Sequence, residues 1–575
     1  MVPLFASIIP YIWRMDNYQI AESFSLLARL LDIHGENSFK TKSYTSAAFA
    51  IENLTTSLSE LPTEKIAGIK GIGASCAQKI IELLQTGHLK TLDEIIFQTP
   101  PGVTEMLNIK GLGPKKINTI WKEMEIESIG ELLYACKENR LKLFKGFGEK
   151  TQENVTASIE FYLRSKGSFL YAQVENIAIA TTAILGKIFT TKNFEITGAY
   201  RRQLPVVNQL EFVVESNEAD IITALVNVEG FRFVEQTNGS ILYQSSAGID
   251  VKFFATDAAN FYNTLVRTSS SETFHASLMT LHPELAAPSD SPDEEAFFAA
   301  ATLPFIPAVL RENGTALSIL KTREPQRLIQ PADIKGIIHC HSNWSDGSNT
   351  IEEMALAAKG KGLEYLVISD HSKSAFYAQG LSEQRIREQH SYIDDLNLKL
   401  YPFKVFKSIE SDILNDGSLD YADDVLASFD LVIASVHSNL KMTEEKAMSR
   451  LLKAIHNPYT TILGHMTGRL LLSRPGYPVD HDAIIDACAA NNVVIELNAH
   501  PNRLDIDWPF IDKALEKNVL ISIDPDAHHI DGLDDTRYGV LVAQKTSLTK
   551  EGNLSSFSLE AFEKYILETK AKKQP

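Results

Sequence analysis

The chain has 575 residues, 44% of them hydrophobic, and a formal net charge of -18. That length exceeds an ordinary single domain, so three or more domains are expected, with enough apolar content for packed cores. The acidic balance excludes a protein coated in basic surface, while a local nucleic-acid-binding patch stays compatible with it.

Cys76, Cys136, Cys340 and Cys488 form no CxxC pair, as expected of reduced thiols in a cytoplasmic protein. No apolar stretch is long enough to span a bilayer, so no membrane role is expected. The opening MVPLFASIIPYIWRMDN is apolar, lacks a basic n-region and contains two prolines. It reads as neither signal peptide nor anchor. The amphipathic pattern begins only near Met15, an alternative start codon.

Residues 18–56 read as helices, with Ile20, Phe24, Leu27 and Leu31 at helical spacing. One pattern then occurs three times: IKGIGASCAQKIIELL from Ile69, IKGLGPKKINTIW from Ile109 and FKGFGEKTQENV from Phe144. Two glycines allow a tight turn that presents backbone N–H groups, and the helix that follows adds its positive N-terminus. Such a turn binds phosphate without reading base sequence. These segments resemble helix-hairpin-helix motifs, which grip the DNA backbone, and the resemblance implies that Gly71, Gly73, Gly111, Gly113, Gly146 and Gly148, with Lys115 and Lys116, are DNA contacts. The bland reading is that the glycines only close helix–helix turns, and repetition argues against it. The third copy, with Glu149 beside Lys150, is the least suited to an anion.

Residues 176–320 change character. ITGAYRRQLPVVNQLEFVVES and AGIDVKFFAT look like β-hairpins, and AAPSDSPDEEA is a polar loop. A second proline-bearing stretch, TREPQRLIQPAD, marks a boundary before Ile334.

Beyond it seven apolar, β-prone runs alternate with helix-like stretches, the pattern of a parallel βα barrel. IKGIIHCH, LEYLVISDH, FKVFKSIESD, LVIASVH, TTILGH and VLISIDPDAH each carry His, Asp or Glu at or near the C-terminal end, where such barrels build sites. VVIELNA is the seventh. In a strand His339 and His341 point to one face, because side chains alternate. The candidate metal ligands are His339, His341, Asp346, His371, Glu410, His437, His465, Asp526 and His528. Nine ligands suit two or three divalent ions, manganese, zinc or iron, with a metal-bound water as nucleophile. Phosphoester hydrolysis is the leading reaction class and amide hydrolysis the competitor. The remaining histidines, such as His390 and His456, are expected to be ordinary surface residues.

These residues carry a resemblance. HCH, SDGSNTIEEM, ISDHS, IES at 409–411, ASVH, ILGHMTGRLLL and DAH resemble the PHP (polymerase and histidinol phosphatase) superfamily. GENSFKTKSYTSAA, the hairpin repeats, GAYRR and FIPAVLREN precede them in the order of the bacterial and archaeal DNA polymerase X family. The resemblance covers nearly the whole chain. It implies a multidomain α/β protein: a helical DNA-binding domain at 1–95, a fingers-like helical region at 96–175, a palm/thumb-like nucleotidyltransferase module at 176–320 and a distorted (β/α)7 PHP barrel at 331–575. It also implies that His339, His341, Glu410 and Asp526 hold one ion, that Glu410, His437 and His465 share a second, and that Asp346, His371 and His528 hold a third. The implied activity is metal-dependent 3′-5′ exonuclease and 3′-end processing on gapped, nicked or 3′-recessed DNA. A monomer is expected.

The palm departs from the family. Where that family has two aspartates as DxD, this chain has Gln209-Leu-Glu211, and the third carboxylate falls at Lys252. A register shifted by two would place Asp250 there instead. Magnesium demands hard oxygen ligands in tight octahedral geometry, so its binding in the palm is disfavoured. Polymerase activity is expected to be lost or very weak. The remaining site contacts expected in the palm are Arg201 and Arg202 to phosphate. Three alternatives stay open: a bifunctional gap-filling polymerase, a non-catalytic DNA-binding scaffold and a small-molecule phosphatase.

Overall fold

The structure, a computed structural model, describes residues 15–137, 141–165, 167–190, 193–288, 291–312, 327–375, 378–472 and 475–573. The apolar opening before Met15 lies outside the described residues, as do parts of the 286–296 and 322–333 loops and the last residue of FIPAVLREN. The chain divides into two compact units, 1–166 and 167–575.

Among the described residues of the first unit, every regular element is a helix. Asp16 caps helix Asn17–Ile33: its carboxylate accepts the Gln19 N–H while the Gln19 side chain accepts the Asp16 N–H, a capping box. Ile20, Phe24, Leu27 and Leu31 form its buried face. One apolar core runs from Ile20 to Ile159. The segments expected to separate at residue 95 therefore fold together. The boundary expected at 175 falls inside helix Tyr171–Ile188, whose Val174, Ala178 and Leu185 pack under the palm sheet.

Seven β-strands form the region expected to be the palm. Phe169–Leu170 (β1) pairs with Val206–Val207 (β3). The main sheet joins Phe194–Thr197 (β2), Gln209–Glu215 (β4), Phe231–Thr237 (β5), Ser240–Ser245 (β6) and Asp250–Thr256 (β7) in the order β2-β4-β7-β6-β5. Leu210, Phe212, Val251 and Phe253 turn into the core, as strand alternation requires. The other face of β4 and β7 carries Gln209, Glu211, Asp250 and Lys252.

Seven parallel strands follow in sequential order: Gly336–Cys340 (β8), Tyr365–Ile368 (β9), Lys404–Asp412 (β10), Leu431–Ser435 (β11), Ile462–Leu463 (β12), Val494–Asn498 (β13) and Ile521–Asp524 (β14). Cys340 bridges to Ala527 and the His341 N–H donates to the Ala527 carbonyl at 2.8 Å, so the first and last strands nearly close a barrel. Most strand residues are buried on both faces, which is why the runs read as continuous apolar stretches. Helix Leu559–Lys573 seals one end of the barrel with Phe562, stacked on Tyr365 at 4.4 Å, and Ile566. That leaves the C-terminal rim for the polar residues.

Candidate metal centre

The nine histidines and carboxylates converge on that rim. His339 lies in β8 and Glu410 in β10, and the others follow strand ends. Simple alternation does not deliver the HxH pair. His339 has φ +60°, left-handed, and the β8–β9 register shifts between Ile337 and Cys340. Asp526 has φ +52°. Such non-glycine conformations cost about 1–3 kcal/mol each and cluster where a site demands them. Both imidazoles of the pair are fully buried, with ring centres 5.3 Å apart.

Glu410 is the hub. Its Oε1 lies 3.2 Å from His339 Nε2, 3.1 Å from His437 Nε2 and 3.0 Å from His465 Nε2. Its Oε2 lies 3.6 Å from His341 Nε2 and 3.0 Å from His371 Nδ1. Asp526 Oδ1 lies 3.5 Å from His339 Nε2 and 3.1 Å from His341 Nε2. Asp346 stands 3.5 Å from both His371 and His528. Ligand atoms about 2.1 Å from a common ion lie about 3.0 Å apart at right angles and about 3.4 Å apart at the tetrahedral angle. The clusters that form are His341, Asp346, His371 and His528; His339, His341 and Asp526; and His371, Glu410 and His437, so the expected groupings overlap with these without matching them. His341 and His371 each belong to two clusters.

The donor set fits divalent ions. His339 Nε2 and Glu410 Oε2 are buried and make no aligned hydrogen bond, although other ligand atoms crowd them. Buried polar atoms without partners are costly unless something else satisfies them. The charges agree. Burial opposes ionisation of Glu410, yet His437, His339 and His371 hold its carboxyl well below the ordinary range. Burial also pushes His371 and His437 down, but facing carboxylates outweigh it and raise them to about 10 and about 9. Protons on those imidazoles stand where cations belong. Burial, then the charges of His528 and His371, drives His341 to about 3, leaving a neutral ligand.

A supporting shell escaped the sequence reading. Glu496, on β13 within VVIELNA, accepts from His339 Nδ1 through one oxygen and from the His465 N–H through the other. Asp412 holds His437 Nδ1 at 2.6 Å. Asp370 accepts from Ser342, Ser345 and Gln389 and braces the loop after β8. Asn498 donates to Asp526 Oδ2 at 3.1 Å. An acidic residue inside an apolar strand was the available signal for Glu496. His390, expected at the surface, is half-buried edge-on against Phe429, because helix Glu383–Leu400 packs that face inward. His456 is exposed, as expected.

The palm residues share one sheet face but form no such centre. The register sets Glu211 opposite Lys252 and Gln209 opposite Asp250. Glu211 accepts from Gln209 at 3.0 Å and from the Ala199 N–H, and presses on Gly198, where a Cβ would lie 1.7 Å from its oxygen. Burial raises its pKa. Among the described residues no cluster of three metal-ligating side chains forms here. Arg201 and Arg202, expected to meet phosphate, are spent internally. Arg201 pairs with Glu294 at 2.6 Å, and Arg202 with Glu312 at 3.1 Å, which also takes Lys545 at 3.0 Å. Their partners lie 93 and 110 residues away, out of reach of local pattern reading.

The three hairpins repeat one geometry. Gly71, Gly111 and Gly146 have φ +94°, +89° and +93°. Only glycine adopts this region freely. Gly73 and Gly113 cap helices Ala74–Thr86 and Pro114–Lys122 without side-chain hydrogen bonds, and Gly148 precedes helix Glu149–Ser165. Gly73, Gly113 and Gly148 are exposed, and a Cβ added at any of them would meet nothing within 4 Å. Ile72, Leu112 and Phe147 anchor each turn in the core. Lys115 is exposed, whereas Lys116 folds back on the Gly111 carbonyl at 3.1 Å.

Comparison with known proteins matches this division. A helix-hairpin-helix domain family matches residues 15–89, a SAM-like helix-hairpin-helix tandem family residues 103–160, and the PHP domain family residues 338–500. The chain is 31% identical over 570 residues to the DNA polymerase/3′-5′ exonuclease PolX of Bacillus subtilis (strain 168), covering 96% of this chain and 99% of the relative. A probable phosphatase of Acetivibrio thermocellus is 28% identical over 169 residues, 28% of this chain and 64% of the relative. Another, of Caldanaerobacter subterraneus subsp. tengcongensis, is 30% identical over 206 residues, 33% of this chain and 74% of the relative.

Proposed function

The chain belongs to the bacterial DNA polymerase X family, and on that premise we propose that it is a DNA-end-processing protein whose PHP domain hydrolyses phosphate esters at 3′ ends and whose palm has lost most or all polymerase activity. The observation that carries the reading is the convergence of nine candidate ligand side chains on one barrel rim, eight of them in three clusters and His465 3.0 Å from Glu410, against a palm face where Lys252 stands opposite Glu211.

His339, His341, Asp346, His371, Glu410, His437, His465, Asp526 and His528 would hold two or three divalent ions, of manganese, zinc or iron. Bound there, such ions supply an activated water and neutralise phosphate oxygens. The protein does the rest. Glu496 and Asp412 fix the imidazoles of His339 and His437 by holding Nδ1, which leaves Nε2 turned to the centre. The facing imidazoles keep Glu410, Asp346 and Asp526 ionised against the opposing effect of burial.

The glycine turns would grip the backbone of gapped, nicked or 3′-recessed DNA, with no base readout. Among the described residues no helix is long and apolar enough to cross a membrane. A cytoplasmic monomer fits this role.

The second reading, a bifunctional polymerase and exonuclease, is favoured by the name of the near-full-length relative and by the carboxylates retained at Glu211 and Asp250. One gel separates the two. A 5′-labelled primer on a gapped template is incubated with manganese or magnesium, with and without dNTPs, beside the His339→Ala/His341→Ala variant. Shortening that ignores dNTPs and vanishes in the variant is expected. Lengthening with dNTPs overturns the loss of polymerase activity, and shortening that persists in the variant overturns the metal assignment.

A further inference from the structure

Basic side chains near the rim differ in what holds them. Arg469 is committed to Asp507 at 3.0 Å and to the carbonyls of Arg503 and Leu504. Arg385 is committed to the carbonyls of Gln379 and Trp344. Lys373 pairs with Glu383 at 3.6 Å and lies over the Tyr421 ring.

Arg503 is held differently. Its backbone is fixed twice: the N–H donates to the His500 carbonyl at 2.8 Å, and its carbonyl accepts Arg469 Nε at 2.9 Å. Its guanidinium meets one acid among the described residues, Asp526, with Nε 3.5 Å from Oδ2. That same oxygen accepts from Asn498, while Oδ1 faces His339 and His341. The side chain is 20% exposed, at the border between the buried cluster and solvent. Its two Nη atoms make no hydrogen bond among the described residues. A fixed cation thus stands one carboxylate away from the candidate metal ions with its outer edge unspent.

We propose that Arg503 is a substrate-binding residue that grips the phosphate of the terminal nucleotide through its Nη atoms while Nε stays on Asp526. The inference rests on the metal-centre reading of the rim. A planar fork suits a phosphate because two parallel N–H groups meet two oxygens, and lysine reproduces the charge without the fork. The competing role is plain neutralisation of Asp526, which would make Arg503 a support for metal binding instead.

The test titrates thymidine 5′-monophosphate into the full-length, manganese-loaded chain by calorimetry, with manganese affinity and stoichiometry read separately by electron paramagnetic resonance. The His339→Ala/His341→Ala variant assigns the nucleotide signal to the rim. Arg503→Gln is expected to keep manganese binding within about twofold, to weaken nucleotide affinity by about tenfold or more, and to raise KM for primer shortening. Arg503→Lys is expected to fall between Arg503→Gln and the unsubstituted chain. Unchanged nucleotide affinity in Arg503→Gln overturns the inference, and so does loss of its manganese. Should Arg503→Gln fail to fold, unchanged affinity in Arg503→Lys overturns it equally. Failure of the unsubstituted chain to bind manganese overturns the metal-centre reading, and this inference with it.

Discussion

The barrel rim and the palm face both gather charged side chains on parallel strands, yet they end in opposite states. On the rim, imidazoles and carboxylates approach to 3.0–3.6 Å around Glu410 with atoms left unbonded. On the palm, the charges expected to act are held internally: Glu211 takes Gln209 and the Ala199 N–H, and Arg201 and Arg202 take Glu294 and Glu312. A site is marked by charges the fold concentrates without satisfying. Charges that satisfy one another mark structure.

The sharpest way to break this contrast is to remove rim ligands. His339→Ala/His341→Ala is expected to lower primer hydrolysis by about three orders of magnitude or more, since bound ions supply several kcal/mol of charge stabilisation. Retention of DNA binding in a gel shift would show that the loss is local. Glu496→Gln keeps the shape of the side chain but withdraws its charge from His339 Nδ1. Manganese affinity should drop about 10- to 100-fold by equilibrium dialysis, and an unchanged affinity would remove Glu496 from the centre.

The palm can be pushed the other way. Gln209→Asp, Glu211→Asp and Lys252→Asp together should create magnesium-dependent dNTP incorporation in a primer-extension assay. No gain in a folded triple variant would mean that the palm lacks more than the residues at these three positions.

Acidity probes the rim from a third side. Metal-free His371 and His437 titrate near 10 and 9, above the ordinary 6.5, because of their carboxylates. Both hold protons at pH 7, so metal binding must displace them, and affinity should rise with pH up to about 9–10 with a slope of up to about two protons. The sign for stability is the reverse. A histidine raised on folding stabilises below its unfolded pKa, and that contribution is lost as pH rises through the folded value. Metal-free protein should therefore lose thermal stability between about pH 6.5 and 10, and metal-loaded protein should not. A metal affinity flat between pH 6 and 9 would contradict the proton-for-metal exchange. The smallest effect belongs to the hairpins. Lys115→Ala should weaken DNA binding alike on all sequences and reduce the salt slope by about one, whereas an unaltered slope would take Lys115 off the DNA.

Much of this was legible in the chain. Alternation and apolar runs announced the seven strands, and six of them led to the ligands because barrel sites sit at C-terminal ends. Glycine pairs announced the hairpins, since a left-handed residue followed by a helix cap is a local demand. The DxD replacements at Gln209 and Glu211 stood in plain view. What escaped detection was pairing over distance. Glu496 looked like one more residue of an apolar run, and nothing near it announces His339.

By itself, then, the amino-acid sequence determined the element order, the nine candidate ligands and the chemistry such residues favour, because those depend on residue type and short-range spacing. The tertiary structure decided how His339 turns into the cluster, which acids brace the imidazoles, and that Arg201 and Arg202 are occupied while the outer edge of Arg503 is not. Those outcomes depend on which buried charges meet across tens to hundreds of residues, and burial makes each such meeting strong enough to decide a role.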